Sequence, residues 1–260
     1  MMNENFIHPT AIVSDKAKIG NKVKIGAFSI IQDDVEIGNN TEIRNSVLIA
    51  DGARIGSDCK IYSGAVIATE PQDLKFGGEK TLAIIGDRTV IREYATINRA
   101  TMATGKTIVG SDCFIMEYCH VAHDCRIGNK VIMANVTQLG GHVHLDEWAF
   151  IGGAVKVHQF CHIGCHTMIG ADVKITKDVA PYTLIGANPP KVDGINIIGL
   201  RRRGFTDKII KELEEFYETI LHAGLNVSDG IAEFNKRDNI SPEVKNCIDF
   251  IEKSQRGIYR

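Results

Sequence analysis

The chain of 260 residues has no run of eighteen apolar residues, so no segment reads as a membrane-spanning helix. Met1 to Pro9 shows neither the basic stretch nor the apolar run of a secretory signal. An excess of one charge is also missing. With 30 basic and 32 acidic residues the net charge is -2, which argues against a protein dominated by nucleic-acid binding. There is no paired Cys-x-x-Cys and the 7 cysteines are an odd count, so neither a disulfide framework nor a cysteine metal site is expected. These absences predict a soluble cytoplasmic protein with no nucleic-acid partner and no membrane span. An apolar content of 44% with 24% charged residues is that of a globular chain.

What the sequence does have is a period. From Val109 to Ile175 an aliphatic residue or methionine occupies every sixth position, through Ile115, Val121, Ile127, Met133, Leu139, Leu145, Ile151, Val157, Ile163 and Ile169. Six matches neither a helix nor a plain strand. It is the mark of a hexapeptide β-helix, in which short strands alternate with turns. The same register runs from Ile7 to Ile67 and resumes at Ile85, Ile91 and Ile97. Four residues after each aliphatic lies a second ordered position, always small or β-branched. Cys59, Cys113, Cys119, Cys125 and Cys161 fall there, which predicts buried free thiols. Glycine often follows the aliphatic (Gly20, Gly26, Gly38, Gly56), where a sharp bend between faces is expected.

Two segments interrupt the period. An excursion loop at 68–84 carries Pro71 and Gly77-Gly78, and such loops on a regular scaffold are often functional. A shorter one, Asn98 to Thr107, is less informative. After Ile175 the pattern fades through Pro181, Pro189 and Pro190. Apolar positions at helical spacing follow, with Thr206, Ser228 and Ser241 as caps and Pro242 at a first helical position. The expected organisation is a repeat domain over 1–190 and a small α-helical domain over 191–260.

Three hexads make one coil, so residue i should lie beneath i+18, about 4.8 Å away. That rule stacks His123, Gly141 and Gln159 in one column, and Asp124, His142 and Phe160 in the next. It also sets His144 over His162. Seven of the 9 histidines lie between Val109 and Ile175, outside the core slots, and should project outward or meet an interface. Three readings remain open: a polar interface without chemistry, metal ligation as in gamma-class carbonic anhydrases, or general-base catalysis. For the last, Asp124 would orient His123, and the Gly141 N–H would face an oxyanion one rung away. No three histidines show a clear ligand spacing, so no metal is expected.

Four stretches carry a family resemblance: PQDLK at Pro71 to Lys75, HVAHDC at His120 to Cys125, HQFCHIG at His158 to Gly164, and INIIGLRRRGF at Ile195 to Phe205. Over nearly its whole length the chain resembles the UDP-N-acetylglucosamine 3-O-acyltransferases that begin lipid A biosynthesis. The resemblance implies a mainly β protein, a left-handed parallel β-helix with a helical C-terminal domain, assembled as a homotrimer with active sites between subunits. Handedness comes from the resemblance alone, since the usual crossover rule would favour the right-handed form. It implies transfer of a 3-hydroxyacyl group from acyl carrier protein to UDP-N-acetylglucosamine, without a cofactor. His123 would be the base, Asp124 its orienting partner and Gly141 the oxyanion donor. Asp73, Lys75, His120, His142, His158 and Gln159 match substrate-contacting positions; Asn196, Arg202 and Arg203 match positions near the nucleotide. Ala171 stands where side-chain size limits the acyl pocket. Ile198 replaces a frequent acidic residue and Asn98 a frequent histidine. Runner-up activities are a metal-dependent hydratase and an acetyl-CoA-dependent hexapeptide acetyltransferase.

Overall fold

Strands of two to five residues follow one another along the chain and pair with strands a full coil away, not with their sequence neighbours. The computed structural model describes residues 4–222, 224, 226–237 and 239–260. Among these, three sheets form the sides of a prism. The first has eleven strands, beginning at Phe6–Ile7; the second nine, Ile12–Val13 to Lys174–Ile175; the third eight, Lys18–Ile19 to His162–Ile163. All pairings are parallel except the last of the first sheet, where Thr183–Gly186 meets Lys191–Ile195 antiparallel. The coil is a left-handed parallel β-helix.

The i+18 rule holds wherever the hexads are uninterrupted: Lys24 pairs with Glu42 and His144 with His162. Around the two insertions it lengthens, so that Lys60 pairs with Val90 and Val90 with Phe114. Aliphatics and small residues alternate down the interior. Ile61, Ile67, Ile91 and Ile97 are fully buried, and so are the five cysteines of the small slot to within 1%. Each such aliphatic contributes roughly 1.5–3 kcal/mol of burial. Cys165 and Cys247 lie outside that pattern yet are buried too, and all seven thiols are free.

The bend between faces is not made by the expected glycines. At most corners the residue three after the aliphatic takes it, with positive φ at Lys22, Phe28, Asn40, Asp124 (61°), His142 (60°) and others. Gly26 instead permits close approach of coils, since a Cβ there would sit 2.7 Å from the Arg44 carbonyl carbon.

The C-terminal domain comprises α1 (Ile197–Arg202), α2 (Asp207–His222), α3 (Val227–Phe234) and α4 (Pro242–Lys253). Ser241 caps α4 with Pro242 behind it, as expected. α3 is capped by Asn226, not by Ser228, which lies inside the helix. The last sheet strand reaches Ile195, past the expected boundary at 190, and the excursion proper spans only 70–81, between strands Val66–Thr69 and Leu82–Ile85. The domain is pinned to the end of the prism. Buried Tyr217 donates to the Pro181 carbonyl at 2.6 Å, and the Tyr259 hydroxyl accepts from Thr176 N–H at 2.7 Å.

Candidate active site

Both insertions leave the prism at the edge between the second and third sheets, and the corners bearing His123, Gly141 and Gln159 lie on that same edge. Because the corner residues stack, His123 and Gly141 are on neighbouring rungs. A Cβ built on Gly141 would lie 2.6 Å from Cε1 and 2.7 Å from Nε2 of His123. The imidazole therefore packs directly on the glycine, and any side chain there would have to displace the ring.

At several other corners the N–H at this position is taken by a side chain from a neighbouring coil. Asn39 accepts from Asn21 N–H, Asn45 from Ala27, Asp87 from Ser57 and Asn129 from Ser111, at 2.8–3.1 Å. Gln159 holds the corresponding place above Gly141 and does not reach back. Among the described residues nothing accepts the Gly141 N–H, although the residue is buried. A buried donor without a partner is costly unless something else supplies the acceptor.

The His123 ring donates through Nδ1 to Asp124 Oδ2 at 2.7 Å, leaving Nε2 as the basic nitrogen. The Asp124 carboxylate, itself fully buried, is clamped by the second insertion. Thr101 donates from its N–H at 3.2 Å and its hydroxyl at 2.8 Å, and the Thr104 hydroxyl binds the other oxygen. Thr107 holds the Asp124 N–H at 2.8 Å. Burial pushes this carboxyl up, but the hydrogen bonds from Thr104, His123 and Thr101 outweigh it and hold it below the usual aspartate value. The threonines of the shorter interruption thus belong to the site. Their residue types were visible in the sequence; that the chain folds back onto Asp124 was not.

Around this pair the structure gathers several of the expected residues. His142 stands edge-on to His123 with centroids 5.3 Å apart, and stacks on Phe160 at 4.5 Å. His120 projects from the second sheet, bonded to the Thr96 hydroxyl at 2.7 Å; burial and the nearby His123 lower its pKa. His158 is exposed and bonded through Nδ1 to the Gln159 carbonyl. Asp73 and Lys75 lie on the excursion, where Asp73 Oδ1 accepts from Lys75 N–H in a local turn. Leu74 between them is wholly exposed. The excursion is fastened at its base by Asn98, which donates to Thr69 and to the Glu70 carbonyl, and by Arg99, whose guanidinium lies 5.3 Å from the Phe76 ring.

Other expected residues are not brought here. Arg203 lies by the edge between the third and first sheets, over Trp148 at 5.0 Å and beside His166 Nδ1 at 3.3 Å. Burial, followed by the Arg203 charge, holds His166 down to about 4, so it stays neutral and can accept. His166 is also the exception to outward-facing histidines, being covered by the C-terminal domain through Phe205. Arg202 is exposed on α1. Asn196 is buried and fully engaged within the chain: its amide oxygen caps α1 at Gly199 N–H and its NH2 donates to the His166 carbonyl. Ala171 is exposed on the remaining edge, between the first and second sheets.

Two sets of side chains converge closely enough to hold a metal: His123, Asp124 and His142, and His144, Asp146 and His162. In the first, both Asp124 oxygens already accept hydrogen bonds from His123 and the threonines, so the carboxylate is committed to the pair.

Comparison with known proteins settles the kinship. Residues 178–259 match the family described as UDP-N-acetylglucosamine O-acyltransferase, domain 2, and residues 16–51, 34–69 and 106–137 match the bacterial transferase hexapeptide repeat. The acyl-[acyl-carrier-protein]–UDP-N-acetylglucosamine O-acyltransferase of Herminiimonas arsenicoxydans is 44% identical over 261 residues, covering 98% of this chain and 100% of its own. The chain belongs to the UDP-N-acetylglucosamine O-acyltransferase family. The Stenotrophomonas maltophilia (strain K279a) member is 44% identical across 99% of both chains. Among solved structures, the Bacteroides fragilis UDP-N-acetylglucosamine acyltransferase superposes with a TM-score of 0.95 at 43% identity, covering 98% of this chain and all of that one. The Francisella novicida member superposes at 0.93 with 38% identity, covering 98% and 94%. Family membership covers both the prism and the helical domain, so the corner with His123 and the helix end with Arg202 and Arg203 belong to one enzyme architecture.

Proposed function

We propose that this protein transfers a 3-hydroxyacyl group from acyl carrier protein to the 3-hydroxyl of UDP-N-acetylglucosamine, the first step of lipid A biosynthesis. The observation that carries the mechanism is the His123–Asp124 pair packed on Gly141, whose N–H meets no acceptor among the described residues. Asp124 fixes the tautomer, so Nε2 of His123 takes the sugar hydroxyl proton as the oxygen attacks the thioester carbonyl. The new C–O bond forms and the carbonyl oxygen becomes an oxyanion, which the Gly141 N–H stabilises. Collapse breaks the C–S bond, and the proton held by His123 passes to the departing thiolate. The step needs neither a covalent enzyme intermediate nor a metal.

The site would be completed by a second copy of the chain. The expected contact residues are spread over three edges of one prism, so one chain cannot gather Arg203 and Ala171 around His123. The outward row Val90, Phe114, Ile132, Phe150 and Met168 on the first sheet is apolar through five successive coils, a surface suited to a neighbouring prism. A homotrimer with active sites between subunits fits both facts. In it Asp73, Lys75, His120, His142, His158 and Gln159 would meet substrate. Arg202 and Arg203 would hold the diphosphate as planar forks, and Ala171 would bound the acyl chain. Asn196 would act only indirectly, by fixing α1. No described helix is long and apolar enough to cross a membrane. Seven free thiols suit a reducing compartment, and we place the enzyme in the cytoplasm.

The test is an assay of UDP-N-acetylglucosamine against carrier proteins loaded with hydroxyacyl chains of graded length, in wild type and His123→Ala. The variant should lose about 10²–10⁴-fold in turnover while still binding the nucleotide sugar. Near-normal turnover in His123→Ala removes His123 as the base.

A further inference from the structure

One cluster of titratable side chains stands apart from the His123 corner. On the outer face of the third sheet His144 and His162 occupy successive rungs, their rings stacked with centroids 4.3 Å apart and 3° between planes. Asp146, two residues after His144 and therefore pointing to the same side of the coil, reaches between them. A single oxygen of its carboxylate lies 2.9 Å from Nε2 of His162 and 3.5 Å from Nε2 of His144. Donor atoms from all three residues fall within 4.8 Å of one another.

Asp146 and His162 of the cluster line a cavity of about 630 Å³ between the prism and α4, whose other walls include Asp178, Asp249 and Phe250. Phe250 packs against the His162 ring at 4.5 Å, so the C-terminal domain closes one side of the cluster. Asp178 helps to build the floor and is already used, by His162 N–H and the Ser254 hydroxyl. The triad side chains remain 28–46% exposed, so an ion and its waters can reach them.

We propose that His144, Asp146 and His162 form a binding site for one divalent transition-metal ion of the zinc class, distinct from the acyl-transfer site. Two imidazole nitrogens and one carboxylate on one side, with solvent on the other, are the donor set of three-ligand sites whose open positions hold water. Magnesium and calcium are excluded by ligand type, because they take oxygen ligands. In the free protein the Asp146 oxygen accepts the His162 proton. On binding, that proton leaves to solvent and the ion takes the point where the two ring nitrogens and the oxygen now meet. The ion would tie two rungs together directly beneath α4, at the junction of repeat and helical domains. The eighteen-residue rule set His144 over His162; what the spacing did not show is that Asp146 reaches between the two rings.

The test uses the full-length protein freed of metal with a chelator, titrated with Zn²⁺ by calorimetry and with Co²⁺ by visible absorption. One equivalent per chain is expected, with the absorption bands of imidazole-ligated cobalt. His144→Gln, His162→Gln and Asp146→Asn should each weaken binding by roughly tenfold or more, while His142→Gln should leave it unchanged. The three positions are partly exposed, so the variants should fold, and a melting temperature without metal that matches wild type checks it. Absence of stoichiometric binding, or binding that survives His144→Gln and His162→Gln, overturns the site. So does binding lost in His142→Gln, which would put the ion at the His123 corner. Acyl transfer by the metal-free protein is a separate readout, so failure of this site leaves the catalytic reading standing.

Discussion

Two kinds of corner share one backbone in this prism. At the corner of Ala27 and Phe28 the chain turns with a positive φ at Phe28, the Ala27 N–H is held by Asn45 from the next coil, and nothing is left over. At the corner of Gly141 and His142 the φ is the same, yet the coil above offers Gln159, which does not bond the N–H, so that among the described residues it has no acceptor, and the coil below offers His123. The repeat supplies position; a few side chains decide whether a corner is closed or chemically open. A hexapeptide scaffold can therefore carry the proposed acyl-transfer site without distorting its core, because the groups proposed to act there take corner slots that the repeat already provides.

Substitutions at the open corner should cost activity and little stability, and the first is Asp124→Asn. An amide there can present its NH2 to Nδ1 and stabilise the wrong tautomer, moving the proton onto Nε2. Turnover should fall about 10²–10⁴-fold, with nucleotide-sugar affinity within a few-fold of wild type by calorimetry. Gly141→Ala comes next. Alanine is native at the matching position, Ala27, so backbone strain is not the issue; the new Cβ would be 2.6–2.7 Å from a ring that Asp124 holds in place. A loss of about 10²–10³-fold in kcat is expected, with a melting temperature near wild type. If Gly141→Ala turns over normally, the two corners do not differ in the way described.

Thr104→Val sharpens the comparison by touching only the clamp. Removing one donor raises the Asp124 carboxyl back toward its ordinary value. The carboxylate then protonates at a higher pH, so the acid limb of the kcat/KM profile should shift upward. Activity at neutral pH should fall by about tenfold, in line with the roughly 1.5–3 kcal/mol of a hydrogen bond to a charged group. An unshifted profile would mean that the threonines only fasten the insertion.

These residues also mark where sequence reasoning stops. The pairing of His123 with Gly141, and of His144 with His162, follows from a period of six closing every eighteen residues, because a rigid repeat converts distance along the chain into distance in space. Thr101 and Thr104 lie in a stretch that breaks the period, and there the rule changes: pairing offsets lengthen and the path of the loop depends on its own hydrogen bonds. The glycine that often follows an aliphatic is legible as a special position, but its cause, contact with the next coil, is a tertiary effect that mimics turn chemistry in the sequence. Arg203 and Asn196 show a further limit. Their motif identifies the family, while their separation from His123 depends on which prism edge the helical domain returns to.

The smallest expected effect lies at the closed corner, where Asn45→Ala removes the acceptor for Ala27 N–H. Both groups are exposed enough for water to replace the lost bond, so the cost should be about 0.5–1.5 kcal/mol in unfolding free energy. Turnover should not change, since the corner lies coils away from His123 and offers no base beside the freed N–H. Chemical denaturation read beside the acyl-transfer assay separates the two quantities. A measurable fall in activity from Asn45→Ala would mean that coils transmit strain along the prism, and the independence of one corner from another would have to be given up.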